Sequence, residues 1–204
     1  MERQPVRRLA ATAALSVFAL ALAFVKNDAP AWLCAAAMLL SSTGDVLLMS
    51  FRPVTDRVPH PFEAGAACFM AAHLVYAGAF LARVRFPAPN AGTAAAAAVF
   101  VLALLVLAVF SAAGKKRGVR GAPLLLGALY LAVIASNLAA VFTAASAAGG
   151  TLRWAALGAA LFFLSDTLIG ADKIAGAALP HMTAVIWVLY PAGQILLLAG
   201  CAGG

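Results

Sequence analysis

Charge is what this 204-residue chain has least of: 10% of its residues are Asp, Glu, Lys or Arg, against 65% hydrophobic, and the mean hydropathy is +1.00. A soluble domain carries about 25% charged residues, so a water-facing surface cannot be assembled from this inventory. Disorder is excluded by the same figures, because it needs low hydrophobicity and high charge. Acidic residues are scarcer still, 7 against 14 Lys and Arg. In so apolar a chain the basic excess marks cytosolic loops before it marks a nucleic-acid surface, and no nucleic-acid partner is expected. Cysteine is sparse too. Cys34, Cys68 and Cys201 are far apart, lack C-x-x-C spacing and fall inside apolar runs. Such a set predicts neither a disulfide frame nor a thiolate metal cage, but small hydrophobes packed between helices.

Apolar runs are what the chain has in abundance. A spanning helix needs roughly 20 predominantly apolar residues. Seven stretches qualify, at about 9–25, 31–49, 62–82, 92–112, 121–144, 152–170 and 182–201. The joints carry turn and charge signals: 26–30, then 51–61 with three prolines, 83–90 with two, the basic run 115–120, Gly149-Gly150, and 172–180. All are short, and lipid admits only helices or closed barrels. The expected fold is therefore all-α, one integral membrane domain over residues 1–204 built as a bundle of about seven transmembrane helices. Arg7-Arg8 before the first run resembles the start of a signal peptide, but that run exceeds the usual 7–15-residue signal core and is expected to stay as a helix.

With seven spans, the N-terminus shares a side with Arg3, Arg7, Arg8, Arg52, Arg57, Lys115, Lys116, Arg117, Arg120 and Lys173, while Lys26, Arg83, Arg85 and Arg153 lie opposite. Ten basic residues against four predict a cytosolic N-terminus in a multi-pass cell-membrane protein, the bacterial inner membrane being the expected site.

Polar groups within the spans are few. A carboxylate at membrane depth costs about 2.5–3.5 kcal/mol on insertion scales and is rarely accidental. Asp45 and Asp166 each fall about four residues from the cytosolic end of a predicted helix, roughly 6–8 Å deep at 1.5 Å per residue. Two separate segments thus place a carboxyl group in one membrane layer. His73 and Tyr76 share a face with Phe69 and Phe80; Tyr190 and Gln194 are four apart, and Tyr130 and Asn137 seven apart. On the sixth span Gly158, Phe162 and Asp166 form one stripe, with Gly158 permitting close helix approach. A polar cavity lined by the second, third, fifth, sixth and seventh spans, open toward the cytosolic leaflet, accommodates all of these. Ser41, Ser42, Asn137 and Gln194 fit either that cavity or plain interhelical hydrogen bonding. Lys173, seven after Asp166, can meet a lipid phosphate. Glu63, His60 and Asp56 read as solvated, Asp172 as flanking a helix end, and His181 as off the Tyr190 face. Trp32, Trp154 and Trp187 need no function, and the basic run 115–120 reads as a topology signal for anionic headgroups.

Four blocks carry a resemblance: Gly44-Asp45-x-Leu47-Leu48; Phe62-x-x-Gly65-x-x-x-Phe69-x-x-x-His73-Leu74-x-Tyr76; Gly158-Ala159-x-x-Phe162-Phe163-x-Ser165-Asp166; and Tyr190-x-Ala192-x-Gln194. In this order and spacing, over roughly residues 8–194, the chain resembles the lysoplasmalogenase family, the YhhN-like bacterial proteins and their eukaryotic relatives. The resemblance implies eight helices, the first ending at a Lys-Pro step; here Arg8-Leu9 stands at that step. It also implies hydrolysis of the vinyl ether bond of lysoplasmalogens to a fatty aldehyde and glycerophospho-ethanolamine or -choline, with Asp45, His73, Ser165 and Asp166 in the functional core.

The residues suit that chemistry. Protonating the outer alkene carbon of a vinyl ether makes an oxocarbenium ion, water adds, and the hemiacetal collapses. One protonated carboxyl group and one negative group are needed, and burial with mutual repulsion can keep one of two aspartates neutral while the other stays ionised. Either Asp45 or Asp166 is the acid, His73 holds or deprotonates the water, and Ser41, Ser42, Tyr76, Tyr130, Asn137, Ser165, Lys173, Tyr190 and Gln194 are candidate substrate contacts. No cofactor and no metal is expected; the partners are a lysophospholipid substrate and membrane lipids, and a homo-oligomer is compatible with the sequence. Two other readings use the same groups: a zinc-dependent lipid hydrolase with Asp45, His73, Asp166 and, as a further candidate, His181 as ligands, and a proton-coupled transporter, disfavoured because no proline is expected inside the polar helices and no clear internal repeat is present.

Overall fold

Lipid offers a backbone no water to bond, so each apolar run must satisfy its own hydrogen bonds, and each folds as a helix. The computed structural model describes residues 3–49, 52–84, 91–177 and 179–203. Residues 85–90, expected as a two-proline joint and including Arg85 of the charge count, lie outside the described residues. The elements are α1 (Arg3–Lys26), α2 (Ala29–Leu48), the short α3 (Arg52–Thr55), α4 (Pro61–Leu81), α5 (Ala91–Lys116), α6 (Ala122–Ala148), α7 (Leu152–Gly170) and α8 (Met182–Ala202), with a π-helical turn (Ala171–Ala175) extending α7. Among the described residues there is no strand, and seven helices are long and apolar enough to cross a membrane. The chain is an all-α, multi-pass membrane protein with seven such helices among the described residues.

Local chemistry sets the joints. Asp28 caps α2 by accepting the Ala31 N–H at 2.7 Å, with Pro30 in the first turn where a missing donor costs nothing. Pro61 and Pro123 play the same part in α4 and α6. Gly149, at φ 66°, ends α6 in a conformation that side chains with a Cβ rarely adopt.

Small residues decide which helices pair closely. A Cβ on Gly158 would stand 2.7 Å from the Gly193 carbonyl and 2.8 Å from the Leu197 nitrogen; one on Gly193 would stand 2.9 Å from the Gly158 carbonyl. Backbone therefore meets backbone between α7 and α8, as expected for Gly158. Gly44 and Gly65 join α2 to α4 likewise, each hypothetical Cβ 3.2 Å from the other's carbonyl. These two close pairs carry the four sequence blocks. α1 and α5 are peripheral and turn Val17, Phe24, Leu104 and Val109 outward, toward lipid. Against expectation a proline does lie inside a polar helix: Pro191, within α8, leaves the Trp187 carbonyl without its helical donor.

The cysteine expectation needs correction. Cys34, early in α2, and Cys201, at the end of α8, form a disulfide, and only Cys68 is free. The pair is 167 residues apart in sequence. Helix packing brings the two together, and local spacing carries no trace of it.

Candidate active site

A cavity of about 720 Å³ enters the bundle at the end where α1 and α4 begin. Its walls repeat helical stripes: Asp45, Leu48 and Met49 on α2; Phe62, Ala66 and Phe69 on α4; Thr183, Ile186, Trp187 and Tyr190 on α8. α6 adds Tyr130 among aliphatic residues, and α7 adds Ser165 and Asp166. Arg8 of α1 and Phe110 of α5 also line it, so the wall draws on two more helices than the five expected.

Both intramembrane aspartates face this space and both are buried. They lie within electrostatic reach of each other. The Tyr190 hydroxyl donates to Asp45 Oδ2 at 2.7 Å. Thr12 of α1 also reaches Asp45, while its own proton goes to the Leu9 carbonyl at 3.3 Å. Asp166 is held more fully: Tyr130 donates to its Oδ2 at 2.8 Å and His73 Nε2 lies 3.2 Å from the same oxygen. Asn137 Nδ2 donates to His73 Nδ1 at 3.1 Å, which leaves Nε2 as the N–H directed at Asp166. Phe162 packs against one partner of each carboxyl group, its ring centre 4.4 Å from His73 and 5.1 Å from Tyr190.

The expected site residues therefore divide. Asp45, Asp166, Ser165, Tyr130, Tyr190 and Lys173 line the cavity; His73, Tyr76, Asn137, Gln194, Ser41 and Ser42 do not. His73, expected to hold the water, is 1% exposed and acts on the cavity only through Asp166. Tyr76 donates to Gln194 Oε1 at 2.7 Å, a bond that joins α4 to α8 away from the cavity. Ser41 returns its proton to the Ala37 carbonyl, and Ser42 bonds the Thr12 carbonyl and Ser16, so both serve packing. Ser42, Tyr76 and Gln194 thus bond between helices and Ser41 within its own, because each finds a partner on a neighbouring turn or helix. The proposed zinc set is not assembled: no three His, Cys, Asp or Glu side chains converge among the described residues, and His181 is exposed at the start of α8.

Sequence reasoning passed over four residues at the mouth. Arg8, Glu63 and Asp172 line it beside Lys173, and Trp187 carries Arg8 on its ring face, the guanidinium carbon 4.7 Å from the ring centre. Their signal was present as charge next to apolar runs, but such charge looks the same whether it flanks a site or bare solvent. Lys173 itself pairs with Asp172 at 3.0 Å on the π turn, a helix irregularity frequent at functional sites.

The sequence matches the YhhN family over residues 6–201. Similar proteins from Mycobacterium bovis and Mycobacterium tuberculosis, each named lysoplasmalogenase, are 33% identical over 168 residues, which is 80% of this chain and 58% of each relative. The match thus spans little more than half the length of those relatives. No solved structure matches the chain.

Proposed function

Because this chain belongs to the YhhN family, we propose that it is a membrane hydrolase cleaving the vinyl ether bond of lysoplasmalogens, the class of substrate its mycobacterial relatives are named for. The products are a fatty aldehyde and glycerophospho-ethanolamine or -choline. One observation carries the reading: two buried carboxyl groups, each clamped by a tyrosine hydroxyl, face the same apolar cavity. A single-chain lipid fits such a cavity, with its alkenyl carbons among Leu, Ile and Phe side chains and its polar end at the mouth.

The hydrogen bonds divide the roles. Asp166 takes two donors on one oxygen, an arrangement that holds a carboxylate. Asp45 takes a single hydroxyl, from Tyr190, and is the less fully held of the two, which suits the group that bears the proton. Asp45 then protonates the outer alkene carbon, the alkene pair forms the new C–H bond, and positive charge develops on the inner carbon and ether oxygen. Asp166 stabilises that cation and takes the proton from the water that adds to the inner carbon. The hemiacetal collapses as Asp166 returns its proton to the leaving ether oxygen and Asp45 takes the hemiacetal hydroxyl proton, so one water is consumed and both carboxyl groups return to their starting states. Asn137 and His73 are positioning residues that keep an N–H on Asp166.

The mouth faces the cytosol and the membrane is the cytoplasmic one. That orientation rests on the ten-to-four distribution of Lys and Arg, and on a disulfide at the opposite end of the bundle, where an oxidising compartment would preserve it. The test is aldehyde release by the purified protein from a panel of vinyl-ether and ester lysolipids. Aldehyde from the vinyl ethers alone is expected; none from any would end the reading. Uptake of solute into liposomes without lipid turnover would favour the transporter instead, for which the interrupted α8 is the one supporting feature.

A further inference from the structure

The charged groups that line the cavity fall into two sets. Asp45 and Asp166 lie inside; Arg8, Glu63, Asp172 and Lys173 ring the mouth. The rest of the wall is apolar or uncharged. The mouth thus carries two charges of each sign, brought by three separate elements: α1, the start of α4, and the π turn. A ring balanced in this way matches both ends of a zwitterion, whereas a headgroup with a phosphate and no ammonium offers the ring's two carboxylates no partner.

We infer that the mouth is a binding site for a zwitterionic phosphodiester headgroup, with Arg8 and Lys173 on the phosphate and Glu63 and Asp172 on the ammonium. The inference rests on the proposed function and adds headgroup selectivity to it. Register along α8 supports the division. Trp187, which carries Arg8, precedes Tyr190, which holds Asp45, by three residues on the same stripe. That is about 4.5 Å along the helix, a span that a glycerol backbone covers from its phosphate oxygen to its sn-1 oxygen. A phosphate at Arg8 therefore leaves the sn-1 oxygen near the level of Asp45. Arg8 is the stronger of the two cations. Its guanidinium is half-buried and lies against the indole face, which limits its freedom at the mouth. Lys173 is 59% exposed and paired with Asp172, and contributes less.

The test reads binding apart from turnover. Trp32 and Trp154 are replaced by Phe so that Trp187 alone reports, and the protein is titrated in nanodiscs with a non-hydrolysable alkyl lysophosphocholine, an alkyl lysophosphatidylglycerol, and glycerophosphocholine without a chain. The choline lipid is expected to bind about tenfold tighter than the anionic one. The chainless phosphodiester should bind weakest, because the apolar wall is unused; equal binding would point to a soluble phosphodiester as the ligand. Arg8→Gln should weaken choline-lipid binding about tenfold, and Lys173→Gln about threefold. Glu63→Gln should narrow the gap between the two headgroups. Equal affinity for both lipids, or no change in Lys173→Gln and Arg8→Gln together, would overturn the site. Should Arg8→Gln fail to fold, the exposed Lys173 and Glu63 variants still decide. Loss of aldehyde release with the headgroup preference intact would sink the hydrolase and leave the site standing; release without preference would do the reverse.

Discussion

The two ends of the bundle are built on opposite principles. At the closed end, Ala31, Ala79, Ala144 and Ala155 are essentially inaccessible, Cys34 is bonded to Cys201, and Arg83 ties itself to the Cys201 carbonyl at 2.8 Å. Small side chains let helix axes approach, and the cross-link joins two elements far apart in sequence. At the open end the helices spread around a cavity, the regular helix of α7 gives way to a π turn, and charges replace alanines. Rigid closure at one end is what allows the other to hold each carboxyl group at hydrogen-bond distance from its own tyrosine on the cavity wall. Substitutions at the open end should therefore change chemistry with little effect on stability, and those at the closed end should do the converse.

The largest effect tests the open end. Asp45→Asn and Asp166→Asn should each lower the rate of aldehyde release on the order of 10²–10⁴-fold while thermal unfolding in detergent is unchanged. Full activity in both would remove the carboxyl pair from the mechanism. Next come the residues behind Asp166. His73→Gln and Asn137→Leu should lower kcat about 10–100-fold with KM nearly constant, since neither side chain touches the cavity. Nitrogen-15 labelling of histidine should show the Nε2–H form of His73 in the wild type and its loss in Asn137→Leu. With 3 histidines in the chain, assignment by single substitution is direct. A rise in KM alone would return Asn137 to the substrate contacts.

The same contrast explains what was legible beforehand. Seven spans could be read because hydrocarbon forces every apolar run of that length into a helix. Asp45 and Asp166 stood out because an intramembrane carboxylate is costly enough to need a reason. Gly158 could be placed because a missing Cβ within an apolar stripe has few other uses. The uncharged polar residues could not be sorted. Tyr76 and Tyr130 are both helical tyrosines beside apolar neighbours, yet one bonds Gln194 and the other Asp166. Which neighbour a side chain meets depends on the rotation of each helix about its axis, fixed by contacts such as Gly44 with Gly65. Cys34 with Cys201, and Arg8 on Trp187, are pairings of that same kind.

Effects on turnover should be smaller at the closed end. Gly158→Leu places a side chain against the Gly193 carbonyl and Leu197 nitrogen, backbone atoms that cannot yield as a side chain can. A loss of about 1–3 kcal/mol is expected, read as a lower unfolding temperature, with aldehyde release at low temperature retained. Gly78→Ala, whose Cβ meets nothing within 4 Å, is the matched control and should gain up to about 1 kcal/mol. If Gly158→Leu abolished turnover in folded protein, the two ends would be coupled and the division drawn above would fail.

The smallest effect on activity, and the sharpest on geography, concerns which side of the membrane each end faces. Lys116 is exposed at the end of α5, close to the cavity mouth, and Arg153 is exposed at the start of α7, near the disulfide. In a Cys68→Ala background, an impermeant maleimide added to intact cells should label Arg153→Cys and leave Lys116→Cys untouched until the cells are opened. Charge and cross-link arise from independent chemistry: one from the attraction of basic loops to the cytosol, the other from the survival of a disulfide only where thiols are not kept reduced. Labelling of Lys116→Cys in intact cells would mean that the ten basic residues lie outside and the disulfide faces a reducing compartment. Both arguments would then fail together, and the lipid would enter from the outer leaflet.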